Sequence, residues 1–347
     1  MAMAMAMWRN SSTLLRAGAS SGLSAPSRRL THFDTKQTSD QVLMVSSDRF
    51  RVPGETKFEH PVKPITPEVA AMIQLEYQGM KKALMDAGVS VLEHVSKNPN
   101  DEAADAIVPE KWVSTHRSFE GVGSHGVVIL YPLHPSHRGE RDPELVQLLE
   151  DRYPVVEDLS DNENHGEYLE GTASVVMDRI ASKLFMTRSP LSSEKMCHEL
   201  GLHLDRLGVG GENPAQCIIF DSVNKLGKTI HTTNYMMMVG TSLAIVCSDA
   251  ITDSRSRDLV LSTLREHREV MEITLDQMDA FCAQVFEVST RHSDIMLVMS
   301  SRSKRNFTTE QMACLKRHYG NKILDVKLDT IEEYGLCGAS SLVCLLF

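Results

Sequence analysis

Apolar and polar positions along the chain fall into two alternating patterns. Short runs rich in Val, Ile, Leu and Met, bounded by polar or turn residues, occur at 41–46, 89–95, 126–131, 217–221, 242–247, 295–300, 323–328 and 342–347, and they predict buried strands. Residues 174–179 and 183–187 predict a hairpin turning at 180–181. Between these runs the apolar residues take helical spacing. Residues 67–87 predict a long amphipathic helix, with Pro67 in its first turn and Gly88 as its stop. Further helices are predicted from Pro143, over 193–200 with Gly201 as the stop, over 257–268 and over 275–286. A last one follows Thr308, whose spacing to Gln311 fits a capping box, and ends near Gly320. Alternating strands and helices predict an α/β fold. No linker rich in Pro, Gly or Ser interrupts the chain after residue 40, so residues 36–347 read as one large domain.

The N-terminal stretch has a different character. No Asp or Glu precedes Asp34, whereas Arg9, Arg16, Arg28 and Arg29 lie among six serines from Ser11 to Ser27. On a helical wheel Trp8, Leu14 and Leu15 share a face opposite Arg9 and Arg16. This is the composition of a mitochondrial transit peptide, and residues 1–35 are expected to be one, or an extended segment. Without those four arginines the formal charge of −10 falls to −14. An acidic body argues against direct binding to nucleic acid, which requires a basic face. Apolar runs such as 342–347 are far shorter than the roughly 18 residues of a membrane-spanning helix. The seven cysteines form no CxxC pair and are odd in number, which predicts reduced thiols rather than a disulfide framework or a zinc site.

Candidate chemistry is sparse at the level of general motifs. Neither a GxxxxGK[ST] loop nor an HExxH pair occurs. His116, His125, His134 and His137 cluster loosely, but their spacing matches no standard ligand set, so no metal is expected. Met236–Met238 reads as core filling. No cofactor is implied.

Several segments in order resemble the amidinotransferase, or guanidine-modifying, superfamily (the pentein fold), nearest to its citrulline-utilisation hydrolases. Residues 105–116, from Asp105 through Pro109, Glu110, Lys111 and Trp112 to His116, resemble that branch's DAVFPNNWFSTH. Residues 130–133 with Arg138–Arg141 are similar to its LYPM…RRAERR, residues 168–174 around Glu170 to FLEGTGS, and residues 233–241 to TNVMMSIGT. Residues 42–50 and 335–347 also fit. The resemblance covers roughly residues 40–347. It implies a single domain of five ββαβ-type units around a pseudo-fivefold axis, with the site at the centre.

In such enzymes a thiolate attacks the resonance-flattened guanidinium or ureido carbon, carboxylates hold the cationic substrate, and a histidine moves the proton. Both reactive positions differ in this chain. A gapless alignment places Ser341 where the family has its cysteine and Thr232 where it has its histidine. His231 lies one residue early, Cys344 three residues late and Cys337 four residues early. Cys344 reads as a buried hydrophobe, and Cys337 as the one exposed substitute. Asp105 and Glu170 keep their places as substrate carboxylates. The new Lys111 would oppose a cationic substrate if it faced the cleft.

The reading is therefore a catalytically inactive amidinotransferase-fold protein. It is expected in the mitochondrial matrix, or on the matrix side of the inner membrane, as an accessory subunit of a large assembly: a respiratory complex, the ATP synthase or the mitoribosome. Its expected partners are the other protein subunits, through which it would sit peripherally on the membrane. The alternative is an active hydrolase or amidinotransferase on arginine- or citrulline-like substrates that uses Cys337 or Cys344 with His231. A third reading is a sensor that holds a guanidinium ligand through Glu170 and Asp105 without turnover.

Overall fold

The computed structural model describes residues 36–47, 65–96, 107–118, 125–210, 213–334 and 337–347; the predicted transit segment and Asp105 lie outside the described residues. Fifteen strands form five three-stranded sheets. The first holds β1 (Gln41–Ser47), β2 (Ser90–Ser96) and β15 (Cys344–Leu345). The second holds β3 (Val113–Ser118), β4 (His125–Leu130) and β5 (Val155–Asp158), and the third β6 (Val175–Asp178), β7 (Lys183–Thr187) and β8 (Gln216–Phe220). The fourth holds β9 (Met237–Val239), β10 (Leu243–Val246) and β11 (Glu269–Glu272), and the fifth β12 (Phe286–Ser289), β13 (Ile295–Ser300) and β14 (Ile323–Val326).

Every sheet repeats one plan. Its central strand pairs antiparallel with an inner strand (β15, β3, β6, β9 or β12) and parallel with an outer one. A parallel pair needs a crossover, and one long helix supplies it in each unit, preceded in the fifth by the short helix Ser301–Asn306. These helices are α1 (Pro67–Asp86), α2 (Pro143–Arg152), α3 (Glu194–Arg206), α4 (Ser254–Arg265) and α5 (Thr309–Tyr319). The local chemistry that starts them is visible in the sequence. Thr66 caps α1 ahead of Pro67, and Thr308 and Gln311 close a reciprocal capping box on α5. Each helix lays an apolar face on its sheet; Ile73, Tyr77, Met80 and Leu84 of α1 are buried against β1 and its neighbours.

The five units meet in cyclic order. β15 touches β3, the short helix Gly171–Ser174 touches the turns Pro109–Lys111 and Thr233–Tyr235, and β6 touches β9. Thr241 N–H donates to Glu287 Oε2 on β12 (2.7 Å), and the turn Ala339–Leu342 packs on β13. The last strand thus completes the first unit and closes the ring. The inner strands run the same way along the central axis, so the axis has one pole at their N-terminal ends and another at their C-terminal ends.

The predicted helices and central strands are present, with four differences. Helix α3 does not stop at Gly201 but continues to Arg206. Gly201 faces β8, with Ala215 Cβ and Cys217 Sγ 3.5 and 3.6 Å from where a Cβ would stand, so it serves helix-to-strand contact rather than termination. The helix expected over 275–286 spans only Leu275–Asp279; Phe281 takes a left-handed φ of 61°, and the chain turns so that Phe286 can enter β12. The strand expected over 342–347 is Cys344–Leu345 alone, preceded by a helical turn. Helix α4 ends at Arg265, which leaves Arg268 free to reach the neighbouring unit.

Candidate functional site

Each of four inner strands is entered through a short turn of helix: Pro109–Lys111, Gly171–Ser174, Thr233–Tyr235 and Ala339–Leu342. These turns crowd around the axis. Gly171 takes a left-handed φ of 47°, and a Cβ there would stand 2.0 Å from the carbonyl oxygen of Glu110, so only glycine fits.

From these turns, and from the irregular segment before β12, four polar side chains meet. Asn234 Nδ2 donates to Glu110 Oε1 (2.6 Å) and lies 3.4 Å from Ser341 Oγ. Gln284 Nε2 approaches the same Ser341 oxygen at 3.5 Å, while Gln284 Oε1 accepts from Gly338 N–H (2.6 Å). All four are buried, Ser341 to 3 % exposure. Burial pushes the Glu110 carboxyl up to about 7, against the hydrogen bonds of Ser341 and Asn234 and the charge of Lys111. The group closes the axis like a plug. Beside it lies a cavity of about 140 Å³, lined by Glu110 and Asn234 of the group itself and by Val175, Met237, Val285 and Cys344. Gln37 closes its far side. Its Nε2 donates to the carbonyls of Met177 (2.8 Å) and Val239 (2.9 Å), and its Oε1 accepts from Arg179 N–H (2.9 Å).

Near the plug, Glu170 is completely buried at the start of Gly171–Ser174. Its Oε1 pairs with His137 Nδ1 (2.6 Å), and its Oε2 has no hydrogen-bond partner among the described residues. Burial and Lys111 work against protonation of His137, but the hydrogen bond and charge of Glu170, with Glu140, outweigh them and hold its pKa above the ordinary value. His231 is half-buried, and burial lowers its pKa, with Glu170 opposing. Lys111 lies 3.4 Å from Glu140 rather than standing alone before a substrate.

The remaining expected residues are placed as follows. Thr232 precedes the turn Thr233–Tyr235 in extended conformation, half-buried. Cys344 is buried on β15 with its Sγ 3.6 Å from the Val113 carbonyl oxygen, and burial pushes its thiol up to about 12. Cys337, expected at the surface, is buried instead, packed in the apolar cluster with Ile331, Ala339 and Leu342. His134 and His137 are neighbours, their rings 6.2 Å apart, whereas His116 sits on β3 at the axis, hydrogen-bonded to Arg179 and Ser114. Gln284, Gln37 and the His137–Glu170 pairing carry no local signal; they come together only through closure of the ring. Among the described residues, Glu269, Cys314 and His318 lie close enough to share a metal ion, at the surface far along the chain from these turns. Arg317 and His318 already hold both oxygens of Glu269 and push its carboxyl down to about 2. No described helix is long and apolar enough to cross a membrane.

Comparison with known proteins agrees with this architecture. The sequence profile of eukaryotic N,N-dimethylarginine dimethylhydrolases matches residues 57–347. No curated protein sequence matches the chain. Among solved structures, the apo form of ArgZ, an arginine dihydrolase from the ornithine–ammonia cycle in cyanobacteria, superposes with a TM-score of 0.60 at 13% identity, over 88% of this chain and 40% of that one. Unliganded AgrE gives 0.60 at 14% identity, over 88% and 39%. A variant of the dimethylarginine dimethylhydrolase of Pseudomonas aeruginosa, complexed with citrulline, gives 0.60 at 13% identity, over 91% of this chain and 100% of that one. The chain thus spans about two fifths of the two longer proteins and the whole of the third. At such identities the likeness is one of fold.

Proposed function

Because this chain belongs to the eukaryotic N,N-dimethylarginine dimethylhydrolase family, within the pentein superfamily, hydrolysis at a guanidinium carbon is the first activity to weigh, and we propose that it does not perform it. The protein is a non-catalytic member of the family that serves as a structural or accessory subunit of a large mitochondrial assembly. One observation carries this reading. At the position where the family resemblance puts a thiolate stands the Ser341 hydroxyl, 3 % exposed and tied into the plug by Asn234 and Gln284. A serine hydroxyl needs an activating base and an open approach to the carbon it attacks. Glu110 could accept a proton, but it is buried in the same contacts.

The displaced thiols do not compensate. Cys337 and Cys344 are both buried, and a thiol pushed to about 12 at Cys344 supplies almost no thiolate at neutral pH. The mitochondrial part of the reading rests on the acid-free, Arg- and Ser-rich first 33 residues. A fold kept with its reactive group gone suits a protein retained for its surfaces.

A second reading, capture of a guanidinium ligand without turnover, is favoured by Glu170. Its buried Oε2 has no partner among the described residues, and a carboxylate oxygen in that state suits a charge-assisted donor. The test is the native mass of the protein in a gentle detergent extract of its own mitochondria, with identification of co-migrating chains. Co-migration with fixed partners in an assembly many times larger than its own 38.6 kDa is expected. Migration as a free monomer or small homo-oligomer would rule out the subunit role.

A further inference from the structure

The pole opposite the plug carries a second site. Residues at the C-terminal ends of all five inner strands converge there: Arg117 from β3, Arg179 after β6, Thr241 after β9, Ser289 from β12 and Phe347 after β15. They surround a cavity of about 480 Å³, which Lys36 also lines. A neighbouring hollow of about 320 Å³ shares Asp40, Arg117 and Phe347 with it and adds Arg152. Lys36, Arg117 and Arg179 thus line the larger concavity and Arg152 the smaller one beside it, and Asp40 is the acidic side chain of both. The whole chain carries a formal charge of −10, so this pole reverses the sign of the protein around it.

Arg179 is the built part of the site. It is part-buried, and its guanidinium lies 4.2 Å over the Phe347 ring. Its Nη1 donates to Nδ1 of His116 (2.7 Å). That bond requires a lone pair on His116 Nδ1, so its Nε2 carries the proton and donates to Ser114 Oγ (2.7 Å), which in turn bonds Tyr131 OH (2.8 Å). Complete burial and the Arg179 charge keep His116 neutral, well below its ordinary pKa. A neutral relay thus fixes the arginine without neutralising it. No described carboxylate pairs with Arg179, and its Nε and Nη2 make no hydrogen bond with a described residue. The Arg117 side chain, exposed at the rim, likewise makes none. Burial pushes the Arg179 pKa down to about 10, against the opposing influence of Tyr131 and Cys344.

We propose that this pole binds a small multivalent oxyanion, phosphate- or carboxylate-bearing, held by Arg179 and Arg117 with Arg152 adding to the surrounding field. The free Nε–Nη2 edge of Arg179 is the planar fork that pairs two oxygens of such a group. An opening of this size admits a metabolite-sized ligand rather than a macromolecular segment. Ser341 and Glu110 lie at the other end of the inner strands, although Gln37 and Arg179 line the cavity beside them as well.

The experiment is calorimetry and thermal melting of the full chain with inorganic phosphate, pyrophosphate and citrate, each against sodium chloride at equal ionic strength. Saturable binding and a raised Tm with at least one of them are expected. Preference for pyrophosphate would assign a phosphate-bearing ligand, and preference for citrate a carboxylate-bearing one; either supports the site. Arg117→Glu, a change at an exposed residue, should weaken binding about tenfold or more while leaving the ligand-free melt in place. Arg179→Lys, which keeps the charge and removes the fork, should also weaken it. Absence of binding to all three probes, or binding unchanged in both variants, would overturn the proposal.

Discussion

Arg268→Ala is expected to lower the unfolding free energy by about 3–5 kcal/mol, the cost of leaving a buried charge without its partner. Arg268 follows α4, and its guanidinium crosses to the end of β6 in the neighbouring unit. There it makes a two-pronged contact with Asp178, with Nη2 2.6 Å from Oδ1 and Nη1 bonded to Oδ2. Its Nε donates to the Gly240 carbonyl (2.5 Å). Both side chains are essentially inaccessible, at 0% and 2% exposure. Asp178 is fixed further by the backbone N–H groups of Ile180 (3.1 Å) and Ala181 (2.9 Å), so it cannot swing to water when the arginine is removed. Urea unfolding of the two proteins at pH 7 measures the difference. A loss below about 1 kcal/mol would show that the pair contributes no more than a surface contact.

The second large effect is a pH dependence located in the plug. Burial raises the Glu110 carboxyl from an ordinary 4.5 to about 7, so between those values the folded chain holds a proton that the unfolded chain has released. Unfolding is then coupled to proton release, and stability falls as pH rises through that window. The full amplitude for one group is on the order of 3 kcal/mol, reached above pH 7. Other groups titrate in the same range. Glu332 is also pushed up to about 7 by burial, while His116 is held low and acts in the opposite sense. The difference between Glu110→Gln and the wild type cancels them. Glutamine keeps an oxygen for Asn234 and cannot ionise. The variant should therefore gain on the wild type between pH 5 and pH 8, by about 3 kcal/mol at most. Denaturant midpoints at the two pH values check this. A difference independent of pH would mean that Glu110 is not held protonated in the plug.

What was legible in the sequence follows from where each element buries its residues. The crossover helices have one dry face and standard caps, and the central strands β4, β7 and β13 are continuous apolar runs, so pattern alone finds them. The inner strand β3 reads Val-Ser-Thr-His-Arg-Ser and has no apolar alternation, yet five of its six residues are buried. Its polar groups are satisfied across the axis by contacts far along the chain, as when Thr115 Oγ1 bonds the Leu345 carbonyl (2.8 Å). β9 and β12, of three and four residues, are too short for any period to show. The site divides in the same way. Glu170 and Ser341 were legible through the family resemblance, and Glu110 was visible only as a departure from it. Gln284 and Gln37 sit in segments without a motif and acquire their roles when the ring closes.

The plug joins turns from separate units. Glu110, Asn234, Gln284 and Ser341 are linked to one another, although Asn234 Oδ1 has no partner among the described residues, and Gly171 allows the turns to approach as closely as they do.

The most direct test is incubation of the purified full chain with arginine and with N,N-dimethylarginine at pH 7 to 9, with citrulline measured as the product. No citrulline above the enzyme-free reaction is expected at any pH in that range, with or without a reducing agent. Turnover that is abolished by Ser341→Ala or by alkylation of the cysteines would contradict the non-catalytic reading and place a working nucleophile at the axis.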